Sequence, residues 1–185
     1  MDTSAGGRHE LPRRAVLKAG AVTAGAIGAA ALMSGPAMAQ GPGTDAVQSQ
    51  WRWCNRCQCL FYGGGTTTAW CIVGGGHDYG GSGNYIVTHT SGPGQAGWRW
   101  CNRCYCLWYG GSTSDGRCHN GGVHNRNTSG DYRVSYGTPP SGEQPGWRWC
   151  NRCYCLAYSG NGTGSCPAGG GHNFSGSGTY YLPYG

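Results

Sequence analysis

A seven-residue stretch, WRWCNRC, occurs three times without substitution in this 185-residue chain. Each copy is followed by x-Cys-Leu-x-Tyr, a loop rich in Gly, Ser and Thr, a fourth cysteine, a glycine-rich approach to a histidine, and a tyrosine-containing segment. Because the copies begin 47 and 49 residues apart, the sequence predicts a fold built from three homologous units. The predicted segments are a linker at 40–50, repeat 1 at 51–97, repeat 2 at 98–146 and repeat 3 at 147–185.

The repeats contain too few aliphatic residues for an ordinary hydrophobic core. Between Gln40 and Gly185 there are only 13 Val, Leu, Ile or Phe residues and no Met, beside 12 Cys, 8 Trp and 12 Tyr. Disordered chains are poor in aromatic residues, so this composition indicates an ordered protein. We therefore expect cysteine chemistry and packed aromatic rings to supply the stability that aliphatic burial does not.

The fold class follows from periodicity. No part of the repeats shows helical apolar spacing, and the many glycines disfavour helices, whereas short alternating segments such as Trp51-Arg52-Trp53 are typical of strands. The sequence predicts an all-β protein of three homologous Gly-rich repeats forming a β-trefoil-like pseudo-threefold domain. The alternative is three small tandem β modules, each held by metal or disulfides.

Four positions in each repeat have the spacing of a metal site. A Cys-x2-Cys pair followed by a cysteine and a histidine can hold a tetrahedral zinc ion, which predicts about three zinc ions per chain. The alternative is that the four cysteines of each repeat form two disulfides and leave the histidine without a metal. The predicted ligands are Cys54, Cys57, Cys71 and His77 in repeat 1, Cys101, Cys104, Cys118 and His124 in repeat 2, and Cys150, Cys153, Cys166 and His172 in repeat 3.

One further cysteine per repeat is surplus to such a site: Cys59, Cys106 and Cys155. Each lies two residues after a predicted ligand, which would place both on the same face of a strand. In a trefoil the three thiols would converge near the axis and suit a soft ion such as Cu(I), or they would face outward and form disulfides between chains.

Aromatic residues suggest a ligand surface. Tryptophan and tyrosine rings among Asn, Ser and Gly, with few charges, are typical of sugar recognition, and three equivalent sites would contain Trp51 with Tyr62, Trp98 with Tyr109, and Trp147 with Tyr158. The competing interpretation is that these tryptophans form the core in place of the missing Leu and Ile.

The first 39 residues have the features of an export signal. Arg13-Arg14 with the following residues resembles the motif of twin-arginine signals; a Gly/Ala-rich apolar run follows, and Ala37-Met38-Ala39 fits a cleavage site. The apolar run is too short to span a bilayer, so we expect no membrane span after cleavage. The predicted location is secreted or at the cell surface.

The repeat pattern W-x-W-C-x2-C, L-x-Y, C, G-G-x-H and Y resembles tandem repeats of secreted actinobacterial proteins over 51–185. That resemblance implies a secreted binding or structural module. The heptad also resembles the start of the zinc fingers of Ran-binding proteins, which bind single-stranded RNA, over about five residues per copy.

Neither catalysis nor nucleic-acid binding is indicated. No acidic residue recurs at an equivalent position in all three repeats, and no hydrolase motif occurs, although His89 and His119 lie outside the repeat pattern. Nine Arg and five acidic residues give residues 40–185 a charge of only about +4. The sequence therefore predicts a secreted non-enzyme with structural zinc sites that binds glycan or cell-wall polymer. The alternative is a self-associating coat or filament protein cross-linked by its cysteines.

Overall fold

The computed structural model describes residues 47–185, and this part of the chain is all β, as the sequence predicted. The export-signal prediction lies outside the described residues. Within them, no helix is long and apolar enough to cross a membrane. The strands are β1 (Val47–Trp53), β2 (Leu60–Tyr62), β3 (Tyr85–His89), β4 (Gln95–Trp100), β5 (Leu107–Tyr109), β6 (Tyr132–Tyr136), β7 (Glu143–Trp149), β8 (Leu156–Tyr158) and β9 (Tyr180–Pro183).

Each repeat contributes three antiparallel strands in the same arrangement. The first strand carries the Trp-Arg-Trp part of the heptad and pairs with the short second strand and with the third, so that Trp51 lies opposite both Tyr62 and Tyr85. The pairing between first and third strands is irregular at the same place in every repeat, just before the first tryptophan. The repeats therefore share a local structure as well as a sequence.

Strands from different repeats pair with one another and form one sheet. β6 pairs with both β3 and β9, which joins all nine strands. Isolated bridges link the second strands cyclically, at Cys59 with Ala157, at Phe61 with Cys106 and at Trp108 with Cys155. The sheet is nearly closed and barrel-like, so the three repeats are not separate modules. The trefoil assignment, which allowed up to four strands per repeat, stays a prediction.

Two buried layers, one aromatic and one rich in cysteine, pack on the strands. Leu60 faces the aromatic layer and Phe61, the next residue, faces the cysteine layer, as the alternation of side chains along a strand requires. In the aromatic layer, each first tryptophan packs edge-on against a tyrosine of the next repeat. The pairs are Trp51 with Tyr132, Trp98 with Tyr180 and Trp147 with Tyr85, at centroid distances of 5.3, 5.3 and 5.0 Å.

The position of these tryptophans corrects the predicted ligand surface. Trp51, Trp98 and Trp147 have 0% of their surface exposed, so they cannot stack on a sugar. The competing interpretation, that they replace aliphatic core residues, is confirmed. The tyrosines assigned with them are half-buried and pack against the same indole rings; they are Tyr62, Tyr109 and Tyr158.

The tyrosines of the third strands are held in this layer by burial and by hydrogen bonds between repeats. Burial raises the pKa of Tyr85 and of Tyr132 to about 12. The hydroxyl of Tyr180 donates to Gln95 on β4, and that of Tyr85 donates to Gln144 on β7. Tyr85 and Tyr180 therefore each connect a third strand to the first strand of another three-stranded unit.

We expect Trp98→Ala to lower the free energy of unfolding by about 3–5 kcal/mol, because it removes a fully buried indole ring from a layer with little other apolar mass. Urea denaturation of the metal-loaded protein measures the change. Tyr136→Ala is the control, since its ring is 63% exposed and its loss should cost less than about 0.5 kcal/mol. Equal midpoints for the two variants would contradict the assignment of Trp98 to the core.

Candidate metal centres

The Cys-x2-Cys segment forms the same tight turn in each repeat. In repeat 1 the amide of Gln58 donates to the Cys54 carbonyl at 2.8 Å, and the amide of Cys54 donates to the Cys59 carbonyl at 3.0 Å. Gln58 has a φ of 70°, in the left-handed region that non-glycine residues rarely adopt. This residue interrupts the extended backbone between Cys57 and Cys59. The expectation that both lie on one strand face is therefore wrong, and the two thiols enter different clusters.

The predicted ligands of each repeat come together in one buried cluster. In all three cases the ligand atoms lie within 4.8 Å of one another. We call these the outer clusters. They are Cys54, Cys57, Cys71 and His77; Cys101, Cys104, Cys118 and His124; and Cys150, Cys153, Cys166 and His172.

The distances within the outer clusters match a tetrahedral zinc site. The Sγ atoms of Cys54 and Cys71 are 4.0 Å apart, and the equivalent pairs in repeats 2 and 3 are 3.9 Å apart. With Zn–S bonds of about 2.3 Å, two thiolates on a tetrahedron are separated by about 3.8 Å. The bonded sulfurs of a disulfide are only about 2.05 Å apart. All twelve cysteines of the described residues are unpaired thiols, so the geometry favours a metal over disulfides.

The histidine of each outer cluster turns Nδ1 toward its own thiols. The Nδ1 atom of His77 is 3.5 Å from the Sγ atom of Cys57, close to the separation of about 3.6 Å for nitrogen and sulfur ligands of one zinc ion. The corresponding distances are 3.5 Å in repeat 2 and 3.4 Å in repeat 3. Each outer cluster therefore offers three sulfurs and one nitrogen.

The cysteines and histidine of an outer cluster shift one another's pKa values. Burial alone would lower the pKa of His77, but hydrogen bonds and the charge of Cys54 and Cys71 outweigh it and raise that pKa to about 10. The same opposition raises the pKa of His172 to about 10. Hydrogen bonds from Cys57 and Cys71 hold the pKa of Cys54 well below its ordinary value. These shifts pair one thiolate with a protonated imidazole, while burial raises the pKa of Cys57 and hydrogen bonds with the neighbouring thiols raise that of Cys71. A bound metal ion would displace the remaining protons from the ligand atoms.

The other nitrogen of each histidine reaches the next repeat. Nε2 of His77 is 3.0 Å from the carbonyl oxygen of Cys104 and 3.5 Å from the Sγ atom of Cys106, both in repeat 2. If Nδ1 binds a metal, Nε2 carries the proton and donates it to this carbonyl. Repeat 2 contacts repeat 3 in the same way, and repeat 3 contacts repeat 1, through His124 with Cys153 and Cys155 and through His172 with Cys57 and Cys59.

The three surplus cysteines converge in a fourth buried cluster, which we call the central cluster. Cys59, Cys106 and Cys155 lie within 4.8 Å of one another, together with His119 of repeat 2. All three thiols have 0% exposure, so convergence is confirmed and the alternative of outward-facing thiols for cross-links between chains is wrong. Residues 47–185 thus contain four Cys/His clusters, where the sequence predicted three zinc sites.

The central thiols influence each other's ionisation. Burial raises the pKa of the Cys59 and Cys106 thiols. Burial acts in the same direction at Cys155, but hydrogen bonds from Cys106, Cys153 and Cys59 outweigh it and lower that pKa. The cluster therefore retains negative charge even though water is excluded.

An aromatic ring covers the histidine of each outer cluster. Phe61 stacks on His77 at 4.5 Å, and Trp108, at the equivalent position in repeat 2, stacks on His124 at 5.0 Å. Repeat 3 has Ala157 at that position, and there the ring of Phe174 stacks on His172 at 6.1 Å instead. In repeat 3 the ring that covers the histidine therefore comes from the residue two positions after it in the chain, and His172 is still buried.

The polar residues of the heptad hold the loops that carry the later ligands. Asn55 contacts the segment just after His77 twice: its backbone amide donates to the carbonyl of Asp78 at 2.9 Å, and its side-chain amide donates to the carbonyl of Gly80 at 3.3 Å. Arg56 donates to the carbonyls of Gly74 and Val73, in the loop just after Cys71. The same contacts recur with Asn102, Arg103, Asn151 and Arg152. Most side chains of the heptad thus pack in a layer, lie in a cluster or hold a ligand loop, and the first arginine of each copy donates to the segment before the third strand.

His119 is the ligand-cluster residue that the repeat pattern did not identify. Its equivalents are Ile72 and Pro167, so nothing in the periodicity marks it. Its direct sequence neighbour Cys118 was the only indication that it lies near a metal site. His89, the other histidine outside the pattern, belongs to no cluster and packs against Tyr132.

Comparison of the chain with protein-family models, curated proteins and solved structures finds no match.

We expect His124→Ala to reduce the bound metal by one ion per chain, because it removes one of four ligands from the cluster of repeat 2. It should also destabilise the fold by about 1–3 kcal/mol more through the buried carbonyl of Cys153, which loses its donor. His89→Ala removes a histidine outside the clusters and should keep the full metal content. Metal analysis and urea denaturation of both variants test this, and full metal retention by His124→Ala would contradict the ligand assignment.

Proposed function

We propose that this chain is an exported, non-catalytic β scaffold whose fold depends on three structural zinc ions, one in each outer cluster, and whose exposed aromatic side chains bind a glycan or cell-surface polymer. The observation that carries the proposal is the threefold occurrence of a buried Cys3His cluster with tetrahedral spacing. Zinc is the metal that this ligand set and geometry favour.

A structural role is supported by the closure of the outer clusters. Catalytic zinc sites keep one position open for water or substrate, whereas structural sites have four protein ligands. Here every cluster has four candidate ligands, all of them buried, and a ring stacked on the histidine. A site closed in this way has no position for a substrate.

The hydrogen bonds of the heptad arginines disfavour a nucleic-acid partner. The arginines of the heptads donate to backbone carbonyls of their own repeats, as Arg52 does to Gly83 and Arg103 does to Asn120. Guanidinium groups engaged in this way are less available for phosphates. The likeness of the heptad to RNA-binding zinc fingers therefore does not extend to a comparable use of its arginines.

The export prediction agrees with metal loading before secretion. A twin-arginine signal directs proteins that have already folded, so the outer clusters would be filled in the reducing cytoplasm, where thiols are available to zinc. The buried thiols would then leave the cell protected from oxidation. Self-association through disulfides, the other function considered, has no exposed cysteine on the described residues to support it.

Exposed rings in the ligand loops are the best candidates for polymer binding. Trp70 and Tyr79 flank the segment from Cys71 to His77, and each is 51% exposed. Neither ring is needed for the aromatic layer. They replace the buried tryptophans as the residues that we assign to this part of the function.

We expect protein purified without chelators and loaded with zinc alone to contain three zinc ions per chain and twelve reduced cysteines, because the outer clusters have closed ligand sets. Removal of zinc by a strong chelator should abolish the far-ultraviolet signal of the sheet. Native and denaturing mass spectrometry measure the metal and the cysteine mass together. Twelve missing hydrogens and no metal would make the protein a disulfide scaffold and would overturn the proposal.

We expect Trp70→Ser to weaken binding to insoluble peptidoglycan, chitin or cellulose by at least about tenfold, a loss of roughly 1.4 kcal/mol. Ser is a conservative choice because Ser165 occupies the equivalent position in repeat 3. Val123→Gly is the control: it removes an exposed apolar side chain without removing a ring, and repeats 1 and 3 have glycine there. Equal binding by wild type and Trp70→Ser, or binding to none of the polymers, would reject the assignment.

A further inference from the structure

We infer that the central cluster is a three-thiolate site for one soft monovalent cation, Cu(I), chemically distinct from the three outer clusters, and that His119 supports it as a hydrogen-bond donor without being a ligand. The inference rests on the proposed function in one respect, since metal bound at the outer clusters fixes the protons of their histidines.

The hydrogen bonds of His119 determine which of its nitrogens carries the proton. Its Nδ1 atom accepts the backbone amide of Ile72 at 3.2 Å, so Nδ1 needs its lone pair for that bond. A neutral imidazole with an accepting Nδ1 has its proton on Nε2. The Nε2 atom of His119 is 3.4 Å from the Sγ atom of Cys59. His119 therefore donates an N–H to this sulfur and offers no lone pair to a metal.

The outer histidines present the same kind of donor to the central sulfurs. With a metal on Nδ1, the proton of His77 lies on Nε2, which donates to the Cys104 carbonyl at 3.0 Å and also lies 3.5 Å from the Sγ atom of Cys106, so the two acceptors share one N–H group. His124 stands at 3.4 Å from Cys155, and His172 at 3.4 Å from Cys59. Each central sulfur thus faces at least one N–H group, and Cys59 faces two.

This environment suits thiolates. N–H donors directed at a sulfur stabilise its anionic form and so oppose the effect of burial, and here every central sulfur has such a donor within 3.5 Å. Three sulfurs and no available nitrogen form the complete ligand set, because the neighbouring histidines present protons. The cluster therefore has the ligands and the charge to bind a cation.

The number and type of ligands select the cation. Structural zinc takes four protein ligands, and the central cluster offers three with no access for water as a fourth, since the thiols are fully buried and His119 is 1% exposed. Thiolates favour soft ions such as Cu(I), which is satisfied by three sulfurs in a plane. The pseudo-threefold arrangement of Cys59, Cys106 and Cys155 supplies such a trigonal set.

The test is anaerobic titration of the zinc-loaded full chain with one equivalent of Cu(I), delivered as its acetonitrile complex. Native mass spectrometry counts both metals, and X-ray absorption at the copper edge identifies the ligands. Two variants are compared with wild type. Cys106→Ser removes a central ligand, and His119→Ile introduces the residue that repeat 1 has at the equivalent position.

We expect three zinc ions and one copper ion in wild type and in His119→Ile, with three sulfur and no nitrogen ligands at copper in both. Copper should be bound more weakly by His119→Ile, because Cys59 then keeps only one of its two N–H donors. Cys106→Ser should contain three zinc ions and no copper. Retention of three zinc ions shows that each variant has folded. Four zinc ions with no copper uptake, loss of copper from His119→Ile, or copper that replaces zinc in Cys106→Ser would each overturn the inference. Fewer than three zinc ions before copper is added would instead overturn the proposed function.

Discussion

The structure depends on three imidazole rings that each join two repeats. One nitrogen of the ring faces the thiols of its own outer cluster, and the other faces a carbonyl and a central thiol of the next repeat, so the contacts run from repeat 1 to 2, from 2 to 3 and from 3 back to 1. A metal on the first nitrogen places the proton on the second, where it is donated across the repeat boundary. We therefore propose that metal binding within a repeat and association between repeats are coupled through the same imidazole ring.

Magnitudes show why such a chain would rely on metal. Structural zinc contributes about 10–16 kcal/mol per site in small zinc-binding peptides, whereas a single buried aromatic ring contributes about 3–5 kcal/mol. With only thirteen aliphatic or Phe residues in 40–185, the aromatic layer offers little beyond its Trp, Tyr, Leu and Val side chains. The other buried side chains are mainly the twelve cysteines of the cysteine layer. Thiolates buried in that layer would destabilise the fold unless a cation or hydrogen-bond donors compensated their charge.

Much of the molecule could be predicted from the sequence because the repeat is exact. The twelve outer ligands recur at fixed spacing, and glycine-rich alternating segments exclude helices, so the clusters and the all-β class follow. The tryptophans were harder, because alternation shows which residues share a face but not which face is inside when aliphatic residues are scarce. The central cluster could be only partly predicted. Its three cysteines recur at the same position in every repeat, whereas His119 has no histidine at the equivalent positions and contacts Cys59, which is 60 residues away in the sequence. The left-handed residue that separates Cys57 from Cys59 has no sequence signature, since Gln58 and Tyr105 and Tyr154 occupy it.

We propose that zinc binding and the pairing of the three repeats into one sheet form a single equilibrium. The most direct measurement follows zinc release with a chromogenic indicator during urea unfolding, while far-ultraviolet circular dichroism follows the sheet in the same sample. We expect zinc release and the circular dichroism signal to change in one transition with a common midpoint, because each imidazole that binds metal would also hold the neighbouring repeat. Stepwise release of zinc from a sheet that stays folded would contradict the account and would show that the outer clusters act independently.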